Sequence, residues 1–327
     1  MKILIIKPSS FGDIIVANPV LTALKKNYPE CAVKWLVFDE WKDVLRLFPL
    51  LDGVITWDKK KGLSGLLSVI KAVRKEQFDI VMDLQGLLRS AFVACFSGAK
   101  TKIGVPGMKE FSGILVKEPF PESAGINAVV RSLESFRFLT ARNHEPEFKL
   151  AVTEDDAGKA EGILKFCGIT GERKIIGIAP FVRGVSKQWP LEHFRMLTQL
   201  ILNFKYDADI LILGGKNDNW DFYDNRVVNL CGKTTIPELA GILKKCAVVA
   251  GGDTGIIQLA AAMNTPVVAI FGGSDINETA PTGPKTVLIS KGFKCSPCRS
   301  RPTCRDFECL RQITPEEVMK AVVKWIN

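Results

Sequence analysis

The sequence predicts an α/β protein made of two doubly wound, mainly parallel domains. Short apolar runs ended by Gly or Pro alternate with helical patterns, the signature of right-handed βαβ units. The pattern starts twice: Lys2–Pro8 and Lys174–Pro180 are both apolar strands stopped by proline. The length of 327 residues suits two domains of ordinary size.

The first strand spans Ile3–Lys7, a continuous apolar run of the kind a parallel sheet buries on both faces. Pro8, Ser9 and Ser10 end it, Gly12 allows a tight turn or close approach to a ligand, and Asp13 opens a helix whose regular part Pro19 kinks or delays. Further strands are expected at Val33–Phe38, Val54–Trp57, Ile80–Leu84 and Lys102–Val105. Between them, Leu63, Leu66, Leu67, Ile70 and Val73 form an apolar helical stripe with Lys71, Arg74 and Lys75 on other faces. Thr140–Thr153 reads as a linker, which separates a domain at 1–150 from one at 151–327. A charged helix at Glu154–Phe166 follows, then strands at Lys174–Pro180, Ile210–Leu213, Val227–Leu230, Val248–Ala250, Val267–Phe271 and Val287–Ile289. Pro190 begins a helix with Phe194, Leu197, Ile201 and Phe204 on one face. Thr314-Pro315-Glu316-Glu317 is a capping box for a closing helix with Val318, Val322 and Trp325 as its stripe. That helix needs a surface to pack on, the first domain being one option.

Composition narrows the function. A hydrophobic content of 47% with 24% charged residues is that of a soluble globular chain. The early Lys7 and Asp13 argue against a signal peptide, and the longest apolar stretch, Gly255–Gly273, is interrupted by Gln258, Asn264, Thr265 and Pro266. The expectation is a cytosolic protein. A net charge of +9 points to an anionic partner such as phosphates, nucleic acid or an acidic membrane surface. There is no phosphate-loop motif, no dinucleotide fingerprint and no serine-hydrolase elbow, and two histidines leave little room for a catalytic triad.

In open α/β sheets, ligands bind at the carboxyl ends of the strands, and the candidate residues collect there. Asp13 has two readings: a helix cap, or a general base in a cleft between the two carboxyl edges. Arg89, in Asp83–Ser90, and Lys109, in Gly104–Lys109, could meet an anionic acceptor; Lys60 lies in the Lys59–Lys61 triplet. In the second half, Ser186-Lys187-Gln188-Trp189-Pro190 puts a cation near a helix start. Gly251-Gly252-Asp253-Thr254-Gly255-Ile256 is a glycine-rich strand-to-helix turn. Asp253 is its expected N-cap, and the amides of Thr254, Gly255 and Ile256 form an anion site that, with Lys187, suits a diphosphate. Asp218 reads as a ribose contact or a helix cap. Cys295, Cys298, Cys304 and Cys309, spaced C-x2-C-x5-C-x4-C, could ligate a structural zinc. Arg299, Arg301, Arg305 and Arg311 interleave with these thiols and would lower their pKa values. Cys31, Cys95, Cys167, Cys231 and Cys246 stand singly, as small hydrophobes.

Taken in order, Ser9–Asp13 with Pro19, Asp83–Ser90, Ser186–Pro190, Asp253–Gly255 with Leu259–Ala262, and the cysteine-rich tail ending in Ile313–Glu316 resemble the ADP-heptose:lipopolysaccharide heptosyltransferases, glycosyltransferase family 9. The resemblance implies a GT-B fold of two facing Rossmann-like domains, the first binding the acceptor and the second the ADP-sugar. It implies inverting transfer of heptose from ADP-heptose to the Kdo/heptose inner core of a lipid A precursor, by a peripheral protein on the inner face of the inner membrane, with no cofactor requirement. Carried over, Asp13 is the base and Lys187 stabilises the departing ADP. The donor site would draw on Ser10, Gly12, Ser186, Asp218, Asp253, Thr254, Gly255, Ile256 and Gln258, and the acceptor site on Lys60, Arg89 and Lys109. One departure stands out: Gln258 occupies a position where members usually carry histidine. It motivates the alternative of a GT-B nucleotide-sugar transferase or epimerase with another donor sugar. A nucleic-acid-binding module using the Cys–Arg tail lacks the aromatic residues and motifs such a surface needs.

Overall fold

The computed structural model describes residues 1–117, 126–203, 207–298 and 304–326. Phe204, Arg299 and Arg301, expected on the helix face and between the thiols, lie outside them. The chain divides into two compact units, Met1–Ala151 and Val152–Asn327.

Unit 1 is a five-stranded parallel sheet of β1 (Lys2–Ile6), β2 (Ala32–Phe38), β3 (Gly53–Trp57), β4 (Ile80–Asp83) and β5 (Thr101–Gly104) in the order β3-β2-β1-β4-β5. Central β1 buries Ile3, Leu4, Ile5 and Ile6 completely, which is why its apolar run does not alternate. Pro19 splits the first helix in two. α1 (Phe11–Val16) ends at Ala17, and α2 (Asn18–Asn27) restarts with the proline in its first turn, where a missing N–H costs nothing. Gly12 and Asp13 therefore lie inside the first turn of α1, and Asp13 does not open the helix.

α3 (Gly62–Glu76) departs from its expected stripe. It turns Gly65, Val69 and Val73 to the core, with Leu66 and Ile70 half-buried, and leaves Leu63 and Leu67 71% and 60% exposed. Packing on β3 and α4 selects this face, and Gly65 sits close to the turn that leads into the helix: a Cβ there would stand 2.4 Å from the Asp58 carbonyl oxygen. α4 (Leu88–Cys95), a 3₁₀ turn at Ser112–Ile114 and α5 (Ala128–Thr140) complete the unit.

Unit 2 opens with α6 (Glu154–Phe166). Its six strands are β6 (Lys174–Ala179), β7 (Ala208–Ile212), β8 (Val227–Asn229), β9 (Val248–Gly252), β10 (Val267–Ile270) and β11 (Thr286–Ile289), all parallel, in the order β11-β10-β9-β6-β7-β8. Its helices continue with α7 (Leu191–Asn203), α8 (Ile236–Lys245), α9 (Gly255–Ala262), the short α10 (Ile276–Thr279) and α11 (Glu308–Arg311), and α12 (Pro315–Val323). Thr314 and Glu317 exchange capping bonds of 2.9 and 3.3 Å at the start of α12. The stripe of α12 is taken up by its own unit: α12 packs on α7, and Val318 and Val322 are fully buried in the core around Trp189 and Phe194.

Candidate active site

In unit 1 the β1–β4 register sets Ile6 opposite Asp83, so Lys7 and Asp83 emerge together at the carboxyl edge. The backbone of Lys7 is fixed from one side: its N–H donates to the Leu36 carbonyl at 3.3 Å, and the Trp35 indole donates to its carbonyl at 3.2 Å. Its ammonium reaches back to the Leu84 carbonyl at 2.9 Å. Asp13 is exposed at the same edge, and one of its carboxylate oxygens accepts from both the Ser10 N–H, at 2.9 Å, and the Ser10 hydroxyl, at 2.7 Å. The helix-terminal reading of Asp13 thus holds in a modified form: it is the third residue of α1, reaching back to the capping serine.

Charge decides what this carboxylate can do. Asp13 reaches solvent, but the protein crowded around its carboxyl strips water from it and so opposes ionisation; the Lys7 ammonium, the two Ser10 donors and Arg131 on α5 outweigh this and hold the carboxyl below the ordinary range. The reverse pressure falls on Lys7: burial lowers its pKa, opposed by Asp13 and Asp83 and helped by Arg131 and Lys109. Asp83 itself is fully buried. Burial pushes its carboxyl up to about 6, although the amides of Gln85 and Gly86 and the Ser90 hydroxyl all donate to it. Lys7, Asp83, Ser90 and Arg131 were not singled out from sequence; a lysine and an aspartate each ending an apolar strand were the available signal.

The expected acceptor cations fall into two places. Lys59 and Lys60 line a pocket of about 370 Å³ with Phe38, Asp39, Glu40, Trp57 and Asp58, at the carboxyl ends of β2 and β3. The Arg89 guanidinium lies over the Phe38 ring, 5.0 Å from its centre, and so stands beside that pocket. Lys109 belongs instead to the charge group around Lys7.

In unit 2, backbone meets backbone twice at the carboxyl edge: between the ends of β6 and β9, and between the loops after β6 and β10. A Cβ on Gly251 would meet the Ala179 carbonyl oxygen at 2.6 Å, and one on Gly273 the Ser186 carbonyl oxygen at 2.6 Å. Gly273 N–H donates to that same Ser186 carbonyl at 3.0 Å. The N-cap of α9 is Thr254, not Asp253: the Thr254 hydroxyl oxygen accepts from the amides of Ile256 and Ile257 at 3.2 and 3.4 Å. Asp253 is drawn away by a stronger partner. Its Oδ2 takes the Lys187 ammonium at 2.6 Å and the Ser274 hydroxyl at 2.7 Å, with the Thr279 hydroxyl at 3.3 Å. A charge-assisted pair at that length outcompetes a long amide contact. Gln258 donates to the Thr279 carbonyl at 2.7 Å, tying α9 to the loop after β10. Asp218 caps its own turn, accepting from Gly215 N–H at 2.6 Å.

The four tail cysteines are free thiols, Cys309 buried and Cys295 exposed. The expected lowering of their pKa values is overturned for two of them. Burial first, and neighbouring thiols next, push Cys298 and Cys309 up. Among the described residues no group of three metal-binding side chains is placed to hold an ion.

A sequence model of glycosyltransferase family 9 (heptosyltransferase) matches residues 66–306. The chain belongs to this family. Lipooligosaccharide heptosyltransferase 2 of Haemophilus influenzae is 27% identical to this glycosyltransferase over 310 residues, covering 88% of each chain. Lipopolysaccharide heptosyltransferase 1 of Campylobacter coli is 26% identical, covering 98% of each. The structure of Escherichia coli ADP-heptose lps heptosyltransferase II superimposes with a TM-score of 0.81 at 21% identity, over 100% of this chain and 98% of that one. The likeness in structure establishes the fold as GT-B, with the two parallel sheets as its two Rossmann-like domains.

Proposed function

We propose that this family 9 enzyme transfers heptose from ADP-L-glycero-D-manno-heptose, with inversion, to a Kdo or heptosyl-Kdo lipid A acceptor in lipopolysaccharide core assembly. The names of the relatives, heptosyltransferases 1 and 2 of lipopolysaccharide or lipooligosaccharide, support the substrate class. The observation that carries the chemistry is Asp13: an exposed carboxylate kept ionised by Lys7, Ser10 and Arg131 at the ligand edge of the sheet.

In the proposed reaction an acceptor hydroxyl attacks the anomeric carbon, the bond from that carbon to the diphosphate oxygen breaks, and the hydroxyl proton passes to Asp13. A carboxylate of low pKa is a weak base, which suffices when the proton leaves late, after the anomeric carbon has gained cationic character. Help to the departing ADP is the larger contribution. Lys187 supplies it by exchanging its Asp253 partner for the diphosphate, beside the amides of Thr254, Gly255 and Ile256. Ser10, Gly12, Ser186, Asp218 and Gln258 complete the donor side, with Asp218 and Gln258 acting by holding loops in place. Lys60 and Arg89 at their pocket, and Lys109, receive the anionic groups of the acceptor. The acceptor is a lipid, so the enzyme works as a peripheral protein on the cytoplasmic face of the inner membrane. No cofactor takes part in these steps, and metal analysis of the purified protein tests whether the four tail cysteines hold a structural zinc.

Incubation of the purified protein with ADP-heptose and Kdo-lipid A tests the proposal by ADP release and by mass of the product. Heptosylated product from the wild type and none from Asp13→Ala is the expected result. Tighter binding of UDP-sugars than of ADP-heptose would favour the alternative of another donor sugar.

A further inference from the structure

Three outward surfaces of unit 1 are apolar where solvent contact should make them polar. On α3, Leu63 and Leu67 are 71% and 60% exposed, and Lys71 and Lys75 extend the same stripe at four-residue spacing. On α4, Leu88, Phe92 and Phe96 follow one another at the same spacing. Leu88 and Phe96 are exposed, and the rings of Phe92 and Phe96 stack 6.1 Å apart. The turn after β5 is inside out. Ser112 is fully buried, with its hydroxyl 2.5 Å from the Lys109 carbonyl and 3.2 Å from that of Gly86. Its neighbours Phe111 and Ile114 are 85% and 84% exposed. These hydrogen bonds anchor the turn, so its apolar side chains are held outward by design of the backbone.

The three surfaces are adjacent, for α3 packs on α4 and α4 on the Ser112–Ile114 turn. Exposed apolar side chains gathered on adjoining elements mark a binding surface. Its charge identifies the partner. Lys59, Lys60 and Lys61 run straight into Leu63, and Arg89 follows Leu88. Lys59 pairs with Glu40 at 2.7 Å and Lys61 with Asp58 at 3.9 Å, so the cations that give this border its sign are Lys60 and Arg89, with Lys71 and Lys75 along α3. The face is therefore apolar within a basic border, complementary to anionic headgroups over hydrocarbon. No helix among the described residues is long and apolar enough to cross a membrane, so such a face can enter a bilayer only to interfacial depth.

The geometry points to a docking surface by which unit 1 lies on an anionic phospholipid bilayer, inserting Leu63 and Leu67, Leu88 and Phe96, and Phe111 and Ile114. This deepens the reading of a lipid-anchored acceptor and rests on it for its purpose. α3 and α4 begin, and the turn lies, at the carboxyl edge that carries Lys60 and Arg89, so a headgroup would be met where its lipid is anchored.

Co-sedimentation of the full chain with vesicles tests the surface without any acceptor present. Binding to phosphatidylglycerol-containing vesicles, loss of binding with salt, and no binding to phosphatidylcholine alone are expected. Phe111→Ser with Ile114→Ser, and separately Leu63→Ser with Leu67→Ser, should each lower the partition coefficient about tenfold. Lys71→Gln and Lys75→Gln should lower it about fivefold each. Circular dichroism and thermal melting unchanged from wild type show that the variants fold. Wild type that ignores anionic vesicles, or variants that bind as well as wild type, would overturn the proposal. So would a concentration-dependent dimer in sedimentation velocity that the same substitutions abolish, which would make the face a contact between copies. Vesicle binding without heptosyl transfer would leave the docking surface standing and remove the proposed function.

Discussion

The carboxyl edges of the two sheets solve different problems with the same topology. In unit 1 the edge is a collection of charged side chains, Lys7, Asp13, Asp83, Lys109 and Arg131, where burial and neighbouring charges together act on the protonation of Lys7 and Asp13. In unit 2 the edge is mostly backbone, with strand ends brought close at Gly251, loops brought close at Gly273, and a short ion pair between Lys187 and Asp253. The first edge tunes the protonation of a group. The second brings peptide dipoles and one cation to a place an anion can approach. A doubly wound unit can serve either end, and the residues at the strand ends decide which.

The sharpest way to break this contrast is to remove the Asp13 carboxylate from the charged edge. Asp13→Ala should lower kcat by about 10²–10⁴, the usual contribution of a general base, with ADP affinity unchanged by calorimetry. Equal losses of rate and ADP affinity would mean that the two edges do not divide the work. At the other edge, Lys187→Ala should cost about 2.7–4 kcal/mol of transition-state stabilisation, as loss of one oxyanion donor does, read from kcat/KM. It should also weaken ADP binding, which Asp13→Ala should not. Gly251→Ala tests the backbone character of that edge. Its Cβ would press on a carbonyl oxygen at 2.6 Å, an overpacking worth about 1–3 kcal/mol that should lower the melting temperature.

Smaller effects separate the charged edge into its parts. Lys7→Met leaves the burial of Asp13 in place and removes the charge that opposes it, so the Asp13 pKa should rise and the acid limb of the rate profile move to higher pH. Lys7→Arg should keep the limb where it is. Asp83 acts on stability with the opposite sign to an ordinary paired acid. Its pKa is raised from 3.8 to about 6, so between those values the folded chain holds more protons than the unfolded one. Stability then falls as pH rises through that window and levels off above it. Asp83→Asn, which keeps an acceptor for the amides of Gln85 and Gly86, should flatten this slope in urea melts across the same range.

The contrast also explains what could be read early. Proline and glycine punctuation and unbroken apolar runs act within a few residues, so the eleven strands of the described residues fell where the sequence put them, to within a residue or two. The break at Pro19 and the capping box at Thr314 are local in the same sense. The apolar stripe of α3 was not. Helical spacing tells which residues share a face, but packing on β3 and α4 decided that Val69 and Val73 meet the core and Leu63 and Leu67 look outward.

At the site, the sequence by itself determined the residue types at each strand end, and with them the family and the candidates Asp13, Lys187 and Thr254. Tertiary structure alone decided their states. Asp83 comes beside Lys7 through the register of β1 and β4, across a gap of more than seventy residues in the chain, and Arg131 reaches Asp13 from α5. Asp253 gives up the cap of α9 to Thr254 because Lys187 and Ser274 arrive from other loops. Electrostatic and hydrogen-bond partners are chosen by distance in space, and spacing along the chain carries that information only within a turn or two.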